Sequence, residues 1–452
     1  MKTVKEWCWM HYEQYLVNEW IQCRNEGRDV DDLKELCEFV ERESRREGSR
    51  RDFEAIGAET GRLLVNSAVK PGYAYNEPSD YESILDARPE QTFSPVHPKQ
   101  SDTLRDRIAG AWAGRIAGCL IGKPFEGWRY ANIKKFLSLS GNMPMRRYAR
   151  LADFTETVRQ HFEPNPEAAW ADNFTGASPA DDDTTYTVIG LKTVESFGRD
   201  FLAVQALESW LRYMPIVTAC TAERITYCNA ARGLVPPETA RYHNPYREYI
   251  GAQIRADFYG YCNPGDPFNA ASMAYRDASI SHTGNGIYGE MWVAAMIAIA
   301  AVSSNIRYVV TTALEQIPAN CRLAEAVWRV VKDFDNGTRE EEAREKLHTL
   351  YNENIELEWG SVITNAAVVA HSLLYGGGDF AKTAGTAVMC GYDTDCNGAT
   401  VGSVVGMLLG KSGIPAVWYE TFSGELLTSV EGYNRVSVDS LTEKTMSLLP
   451  RE

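Results

Sequence analysis

The chain has 452 residues, an apolar fraction of 44% and a formal net charge of −15 at pH 7. A chain of this length can bury a large core and can contain two or three domains. Its acidic balance argues against nucleic-acid binding, which needs a basic face opposite the phosphates.

Ten cysteines are scattered along the chain without a C-x-x-C pair, a pattern typical of reduced thiols in a cytosolic protein. The segment MKTVKEWCWMHYEQYL at the N-terminus has no long apolar core and no small-residue cleavage site, so no signal peptide is predicted. The longest apolar run, residues 291–302, has about 12 residues and is too short to cross a bilayer. We expect a cytoplasmic protein without a membrane segment.

The first part of the chain is predicted to be helical. Leu33, Leu36 and Val40 fall on one helical face, with charged residues elsewhere. Prolines then recur until about residue 101, which is typical of an extended connector. We therefore predict that residues 1–100 form an N-terminal helical extension and connector.

From residue 101 onwards, apolar residues recur every three or four positions and alternating strand patterns are few. This spacing predicts an all-α fold, with a main domain over residues 101–425. The tail, residues 426–452, is predicted to be a C-terminal appendage.

Two segments of this domain carry glycine at every fourth position, Gly110 to Gly122 and Gly398 to Gly410. Each glycine inside a helix costs roughly 1 kcal/mol relative to alanine. Such a stripe allows two helix backbones to approach closely. If the two helices pack antiparallel, Glu126 after the first lies beside Asp393 and Asp395 at the start of the second.

Three consecutive aspartates, Asp181, Asp182 and Asp183, precede another helical pattern that we expect to begin near Thr184. One aspartate there is an ordinary N-cap. Three exceed what capping needs, and adjacent ionised carboxylates repel one another unless a cation neutralises them. A solvated cap and a metal site both remain open from this run alone.

The sequence DTDCNG at 393–398 matches the opening of a calcium-binding loop, but the twelfth position of that loop is Val404 instead of glutamate. The calcium-loop interpretation therefore fails. A D-x-D motif of the glycosyltransferase type would need flanking strands, which the pattern does not predict. Glu126, the three aspartates 181–183, Asp393 and Asp395 together offer only oxygen ligands. Such ligands favour Mg²⁺ or Mn²⁺, with Ca²⁺ also possible, and their number suits two ions better than one.

These motifs resemble the ADP-ribosylglycohydrolase family over roughly residues 102–415. The segments that carry the resemblance are RIAGAWAGRIAGCLIGKPFE, DDDTTYTVIG and GYDTDCNGATVG. The resemblance implies a compact all-α fold with two Mg²⁺ ions, Mn²⁺ being possible, held by Asp181, Asp182, Asp183, Asp393, Asp395 and Cys396. It also implies catalytic roles for Glu126, Asp183 and Asp395.

Cys396 departs from the family pattern, because many members have a ligating threonine there. A thiol is a poor ligand for Mg²⁺. The second ion is then expected to be held more loosely, to be bound by Asn397 or a water instead, or to be a different metal, unless Cys396 is only a small packed residue.

Two middle segments, YIGAQIRADFYGYCNPGDP and SHTGNGIYGEMWVAAMIAIA, resemble the family's ligand-lining loop and the element before a buried helix. A turn over 283–289 opening onto a helix N-terminus at Met291 would suit an anion or a ribosyl group. The predicted substrate-binding residues are Gly251, Arg255, Asp257, His282, Gly284, Asn285, Gly286, Tyr288 and Tyr392. Without the resemblance, Arg255 and Asp257 could be a surface ion pair, and the two tyrosines could be packing residues.

The resemblance predicts metal-dependent hydrolysis of a ribosyl C1″ bond through an oxocarbenium-like transition state. The expected partner is an ADP-ribosylated protein or a small ADP-ribosyl compound. The long connections at 127–180 and 211–280 could instead narrow the cleft to a nucleoside or another small ribofuranoside. A non-catalytic ADP-ribose-binding or structural member of the fold is a further alternative.

Overall fold

The computed structural model describes residues 11–46, 50–165, 168–173 and 176–450. The first ten residues lie outside the described residues. They include Cys8 and most of the N-terminal segment MKTVKEWCWMHYEQYL, for which no signal peptide is predicted. Nine cysteines lie within them, and all nine are free thiols. In the described part of the chain, no helix is both long enough and apolar enough to cross a membrane.

The all-α class predicted from the sequence is confirmed. The α-helices are α1 (Leu16–Asn25), α2 (Lys34–Ser44), α3 (Arg50–Asn66), α4 (Tyr81–Ala87), α5 (Asp102–Gly122), α6 (Tyr130–Leu139), α7 (Glu156–Arg159), α8 (Asp182–Phe197), α9 (Ala203–Tyr213), α10 (Thr221–Ala231), α11 (Glu238–Arg241), α12 (Asp257–Tyr261), α13 (Pro267–Ala278), α14 (Asn285–Ala300), α15 (Ile306–Ala313), α16 (Arg322–Asp335), α17 (Glu340–Leu350), α18 (Glu356–Trp359), α19 (Val362–Gly376), α20 (Phe380–Met389), α21 (Thr394–Leu409), α22 (Val417–Glu420) and α23 (Val438–Ser447). Two short strands, β1 (Glu425–Leu427) and β2 (Arg435–Ser437), pair antiparallel.

Three helices form the centre of the core. Every residue of α14 is buried, as are residues 108–122 of α5 and residues 394–407 of α21. A helix that is buried on all sides needs no polar face, which explains why these three segments lack the one-sided pattern of a surface helix.

The two glycine stripes pack α5 against α21 in antiparallel orientation. A Cβ atom on Gly114 would lie 2.1 Å from the carbonyl oxygen of Gly402, and one on Gly402 would lie 2.2 Å from that of Gly114. Gly118 and Gly398 stand in the same relation at 2.0 and 2.3 Å. The predicted close approach is therefore confirmed, and it excludes any side chain at these positions.

The N-terminal extension has a small core of its own, which includes Leu16, Trp20, Val40 and Leu64. It contacts the main domain through polar, aromatic and aliphatic groups, and Ile84 of α4 is buried in the main core. Arg247 pairs with Glu19 and Glu26, and the ring of Tyr12 stacks on His243 with a centroid distance of 4.0 Å.

The C-terminal segment packs on the main domain. Trp112 of α5 donates a hydrogen bond from Nε1 to Thr445 Oγ1 of α23 at 3.0 Å. Strand β1 also pairs with Ser178, whose backbone exchanges two hydrogen bonds with Glu425 and Leu427. The segment just before the three consecutive aspartates is therefore anchored by β1.

Candidate active site

The adjoining ends of α5 and α21 bring the first carboxylates together. Thr394 Oγ1 donates to the carbonyl oxygen of Gly122 at 2.9 Å, and a Cβ on Gly122 would lie 2.2 Å from the Thr394 carbonyl oxygen. The turn 123–126 follows directly, so Glu126 comes beside the start of α21. This is the juxtaposition expected from antiparallel stripes.

The run of three aspartates forms the start of α8, which begins at Asp182, two residues before the expected position. Asp181 is its N-cap, and its Oδ1 accepts a hydrogen bond from the backbone N–H of Asp183 at 3.1 Å. Capping thus uses one oxygen of one aspartate. The remaining carboxylate oxygens of the run are available for other partners.

Lys123, which was not among the predicted site residues, lies in the middle of the cluster. Its Nζ is 2.6 Å from Asp181 Oδ2, 2.7 Å from Glu126 Oε2 and 2.9 Å from Asp395 Oδ2. Burial opposes the positive charge, but the carboxylates outweigh it and raise the pKa of Lys123 above its usual value. An ammonium group therefore links all three elements that carry the carboxylates.

Arg115 holds Asp183 in place through its side chain and its backbone. This arginine is fully buried in α5, and its Nη2 donates to Asp183 Oδ1 at 3.0 Å and to the Asp183 carbonyl oxygen at 2.8 Å. Its Nη1 lies 3.1 Å from Asp257 Oδ2. Asp183 is therefore held by one oxygen and its backbone, which leaves Oδ2 free of hydrogen bonds.

Burial and mutual repulsion act together on the carboxyl groups. Burial, followed by the charges of neighbouring aspartates, raises the pKa of Asp182 and Asp393 well above the usual value. Burial also raises that of Asp183, although Arg115 opposes it. The pKa of Glu126 is raised chiefly by Asp395. These groups disfavour their charged forms unless a further cation is present.

The donor set fits such a cation. Asp183 Oδ2 and Asp395 Oδ1 are buried and have no hydrogen-bond partner. Ligand atoms of Asp183, Asp395 and Cys396 all lie within 4.8 Å of one another, as do those of Cys119, Asp181 and Asp183. Orphaned buried carboxylate oxygens are costly, and a divalent cation is the partner that would satisfy them.

A second group of predicted residues surrounds Glu223, which was not predicted. Arg255 donates to Glu223 Oε1 at 2.6 Å and to Asp277 Oδ2 at 2.5 Å. A Cβ on Gly251 would lie 2.1 Å from Glu223 Oε1, and His282 Nε2 is 3.9 Å from the same atom. Burial lowers the pKa of His282, so the imidazole is neutral.

A third group lies around Glu248, at the contact with the N-terminal extension. Asn285 donates to Glu248 Oε1 from its backbone N–H at 3.0 Å and from Nδ2 at 2.9 Å. Gly284 has φ +47°, and a Cβ there would lie 2.8 Å from Glu248 Oε1. Helix α14 begins at Asn285 instead of near Met291, so Gly286 lies inside the helix, close to the His282 side chain.

A cavity of about 730 Å³ borders this third group. Thr283, Gly284 and Glu248 line one side, and residues of the extension, among them Tyr73 and Tyr75, line the other. Within the described residues, none of the predicted metal ligands lines this cavity.

Four of the predicted substrate residues, Arg255, Asp257, Tyr288 and Tyr392, are buried and contact other protein groups. Arg255 and Asp257 are both buried with separate partners, so the alternative of a surface ion pair is wrong. Tyr392 donates to the carbonyl oxygens of Tyr351 and Leu347, and its ring stacks on His348. Tyr288 donates to the carbonyl oxygen of Pro78 in the connector.

Two of the missed residues carried a signal in the sequence. Arg115 is a lone charge within the glycine-striped apolar segment, and a charge at a buried helix position requires a paired partner. Lys123 stands in GKPFE, three residues before the predicted catalytic Glu126. Glu223 carried no comparable signal, because its helix is an ordinary mixed sequence.

Comparison with known proteins gives one family. The sequence model of the ADP-ribosylglycohydrolase family matches residues 100–447. No curated protein matches the chain. A solved structure described as an ADP-ribosylglycohydrolase-related protein complex is 18% identical, with a TM-score of 0.48, over 77% of this chain and 98% of that one.

Proposed function

The chain belongs to the ADP-ribosylglycohydrolase family, whose members hydrolyse glycosidic bonds, and from this premise we propose that its active site is the Lys123–carboxylate cluster. The bond cleaved is the ribosyl C1″ bond of an ADP-ribosylated protein or of a small ADP-ribosyl compound. Activity depends on divalent cation, Mg²⁺ or alternatively Mn²⁺, bound by the carboxylates. The cytoplasm is the expected location.

One observation carries this proposal. Asp183 Oδ2 and Asp395 Oδ1 are buried, lie on different helices and have no hydrogen-bond partner. Each such oxygen costs the free energy of desolvation unless a partner satisfies it. A cation-binding site explains both at once.

Asp183, Asp395 and Cys396 would hold the ion, with Asp181, Asp182 and Asp393 as the other predicted ligands. When bound, a divalent cation supplies Lewis-acid polarisation of oxygen ligands. The carboxylates favour Mg²⁺ or Mn²⁺, while the Cys396 thiol favours a softer ion. Burial raises the pKa of Cys396 well above its usual value, so the thiol stays protonated unless an ion binds it.

Glu126 is the proposed general base. Its side chain is 45% exposed, in contrast to the buried aspartates, so that it can reach a substrate and a water molecule. Asp395 raises the pKa of Glu126, which brings it closer to the range useful for proton transfer near neutral pH. Lys123 orients the Glu126 carboxylate through the contact at 2.7 Å.

The negative potential of the cluster suits the reaction. Cleavage of a ribosyl bond develops positive charge on the sugar ring. The carboxylates are fixed on helix ends and therefore need no reorganisation when that charge forms. Asp183 and Asp395 contribute in this way, as well as through the ion.

The small-ribofuranoside alternative is favoured by one feature of the extension. Ser79 Oγ accepts a hydrogen bond from the Gly284 backbone N–H at 3.0 Å, and Pro78 accepts one from Tyr288. The connector therefore covers the glycine turn that the resemblance predicts to contact substrate. Such a cover would exclude a large modified protein from this side.

Calorimetric titration of ADP-ribose, first with Mg²⁺ and then with EDTA, tests the proposal. Metal-dependent binding, together with Mg²⁺-dependent release of ADP-ribose from arginine- or serine-linked peptides, would support it. Binding of Mg²⁺ without binding of ADP-ribose would favour the ribofuranoside alternative. Binding of ADP-ribose that persists in EDTA, without release, would indicate a non-catalytic member.

A further inference from the structure

The two oxygens of the Asp395 carboxylate have different partners. Oδ2 accepts a hydrogen bond from Lys123 Nζ at 2.9 Å. Oδ1 is buried and has no hydrogen-bond partner. The carboxylate thus has an ammonium on one side and an unsatisfied lone-pair site on the other.

The ammonium group of Lys123 is fully engaged on its side. A lysine has three N–H donors, and its Nζ lies within 2.9 Å of one oxygen each from Asp181, Glu126 and Asp395. Three carboxylates from three separate elements therefore converge on one positive charge. The lysine charge is therefore shared by Asp181 and Asp395, which are both predicted metal ligands, and by Glu126.

The backbone holds Lys123 in this place. Lys123 follows Gly122 directly, and the Gly122 carbonyl oxygen accepts the hydrogen bond of Thr394. Pro124 restricts the next backbone position within the short 3₁₀ turn 123–125. The backbone of Lys123 therefore lies next to the contact between α5 and α21. Its side chain is only 28% exposed.

Two carboxylate oxygens of the cluster, Asp183 Oδ2 and Asp395 Oδ1, have no hydrogen-bond partner. Arg115 takes Asp183 Oδ1 and leaves Oδ2 without a partner. The ligand atoms of Asp183, Asp395 and Cys396 form a group within 4.8 Å. One cation at this group would contact both carboxylates.

We propose that the Lys123 ammonium takes the place of one of the two divalent cations, so that this chain binds a single ion between Asp183, Asp395 and Cys396. The inference rests on the proposed function, because it concerns the same cluster. It revises the two ions expected from the number of carboxylates. Three of those carboxylates already share a resident positive charge.

The experiment counts bound ions with Mn²⁺ as the probe, by equilibrium dialysis and elemental analysis of the full chain. Lys123→Met removes the charge at nearly equal length, and Lys123→Arg retains it. Lys192→Met is the matched control, because Lys192 lies on α8 about 15 Å along the helix from Asp182 and pairs with Glu195. We expect one ion per chain in the wild type, Lys123→Arg and Lys192→Met, and two in Lys123→Met.

Two ions in the wild type would overturn the inference and leave the proposed function standing. A folded Lys123→Met variant that binds a single ion would also overturn it. No ion in the wild type would overturn both. Electron paramagnetic resonance of the Mn²⁺-loaded wild type needs no variant: an isolated-ion spectrum supports the inference, and an exchange-coupled pair contradicts it.

Discussion

Arg115 and Asp183 form a fully buried ion pair between the glycine-striped helix α5 and the first turn of α8, with Nη2 and Oδ1 3.0 Å apart. The same guanidinium lies 3.1 Å from Asp257 Oδ2, so one arginine contacts two buried carboxyl groups. The pair ties the core packing to the candidate site, because it determines which Asp183 oxygen remains free.

Replacing Arg115 by methionine should destabilise the protein by about 3–5 kcal/mol, the usual cost of leaving a buried charge unpaired. Urea denaturation would measure the free energy of unfolding. Arg307→Met is the control, because its pair with Asp335 is largely exposed and such pairs contribute at most about 1 kcal/mol. Equal losses in the two variants would contradict the role given to Arg115.

Replacing Gly402 by alanine should destabilise the fold by roughly 1–3 kcal/mol, the usual cost of overpacking. The added Cβ would lie 2.2 Å from a backbone oxygen that cannot move without separating α5 from α21. Gly190→Ala in α8 is the matched control, since its nearest neighbour would be 3.3 Å away. Thermal denaturation of both variants measures the difference, and similar melting temperatures would contradict the close-packing account.

The parts of the molecule that follow from local patterns were predictable. The glycine stripes are such a pattern, and the packing of Gly114 against Gly402 places Glu126 near Asp395, as expected.

Which charged residues pair with one another in the core was not predictable in the same way. Arg255 and Asp257 are two residues apart, yet Arg255 pairs with Glu223 and Asp257 with Arg115, because their side chains point to different parts of the core. Lys123 was missed because two of its three partners, Asp181 and Asp395, come from distant segments of the chain.

Cys396→Thr should tighten Mg²⁺ binding by roughly tenfold, the lower end of the effect of groups that support a metal ligand. The hydroxyl oxygen is a harder donor than the thiol and therefore suits Mg²⁺ better. Calorimetric titration of Mg²⁺ measures the affinity, with Cys396→Ala as the variant that has no ligand atom. An affinity unchanged in both variants would make Cys396 a packing residue.

Asp393→Ala should lower turnover by roughly a hundredfold or more, the scale of losing one preorganised electrostatic group. It should also remove much of the increase in melting temperature caused by Mg²⁺, while circular dichroism shows unchanged helix content. Asp182→Ala should behave in the same way. Asp379→Ala is the control, because Asp379 caps α20 by accepting from the Lys382 backbone N–H. Wild-type hydrolysis in Asp393→Ala would exclude the proposed site.

Glu223 should make the stability of the protein depend on pH. Burial raises the pKa of Glu223 from the usual 4.5 to about 7, although Arg255 opposes the shift. Below about pH 4.5 this carboxyl is protonated in both the folded and the unfolded chain, and its contribution to stability is fully present. Between about pH 4.5 and about pH 7 the unfolded chain loses the proton and the folded chain keeps it. The free energy of unfolding therefore falls as pH rises through this window.

Each unit of pKa displacement corresponds to about 1.4 kcal/mol, so the contribution of Glu223 to this fall is on the order of 3 kcal/mol. Glu223→Gln keeps the shape without the titration and should remove that part of the slope. Urea denaturation of both proteins at about pH 5 and about pH 8 measures the change in the free energy of unfolding between the two pH values. Subtracting the change in the variant from that in the wild type removes the contributions of the other titrating groups. The same slope in both proteins would mean that Glu223 stays ionised in the folded state, held by Arg255.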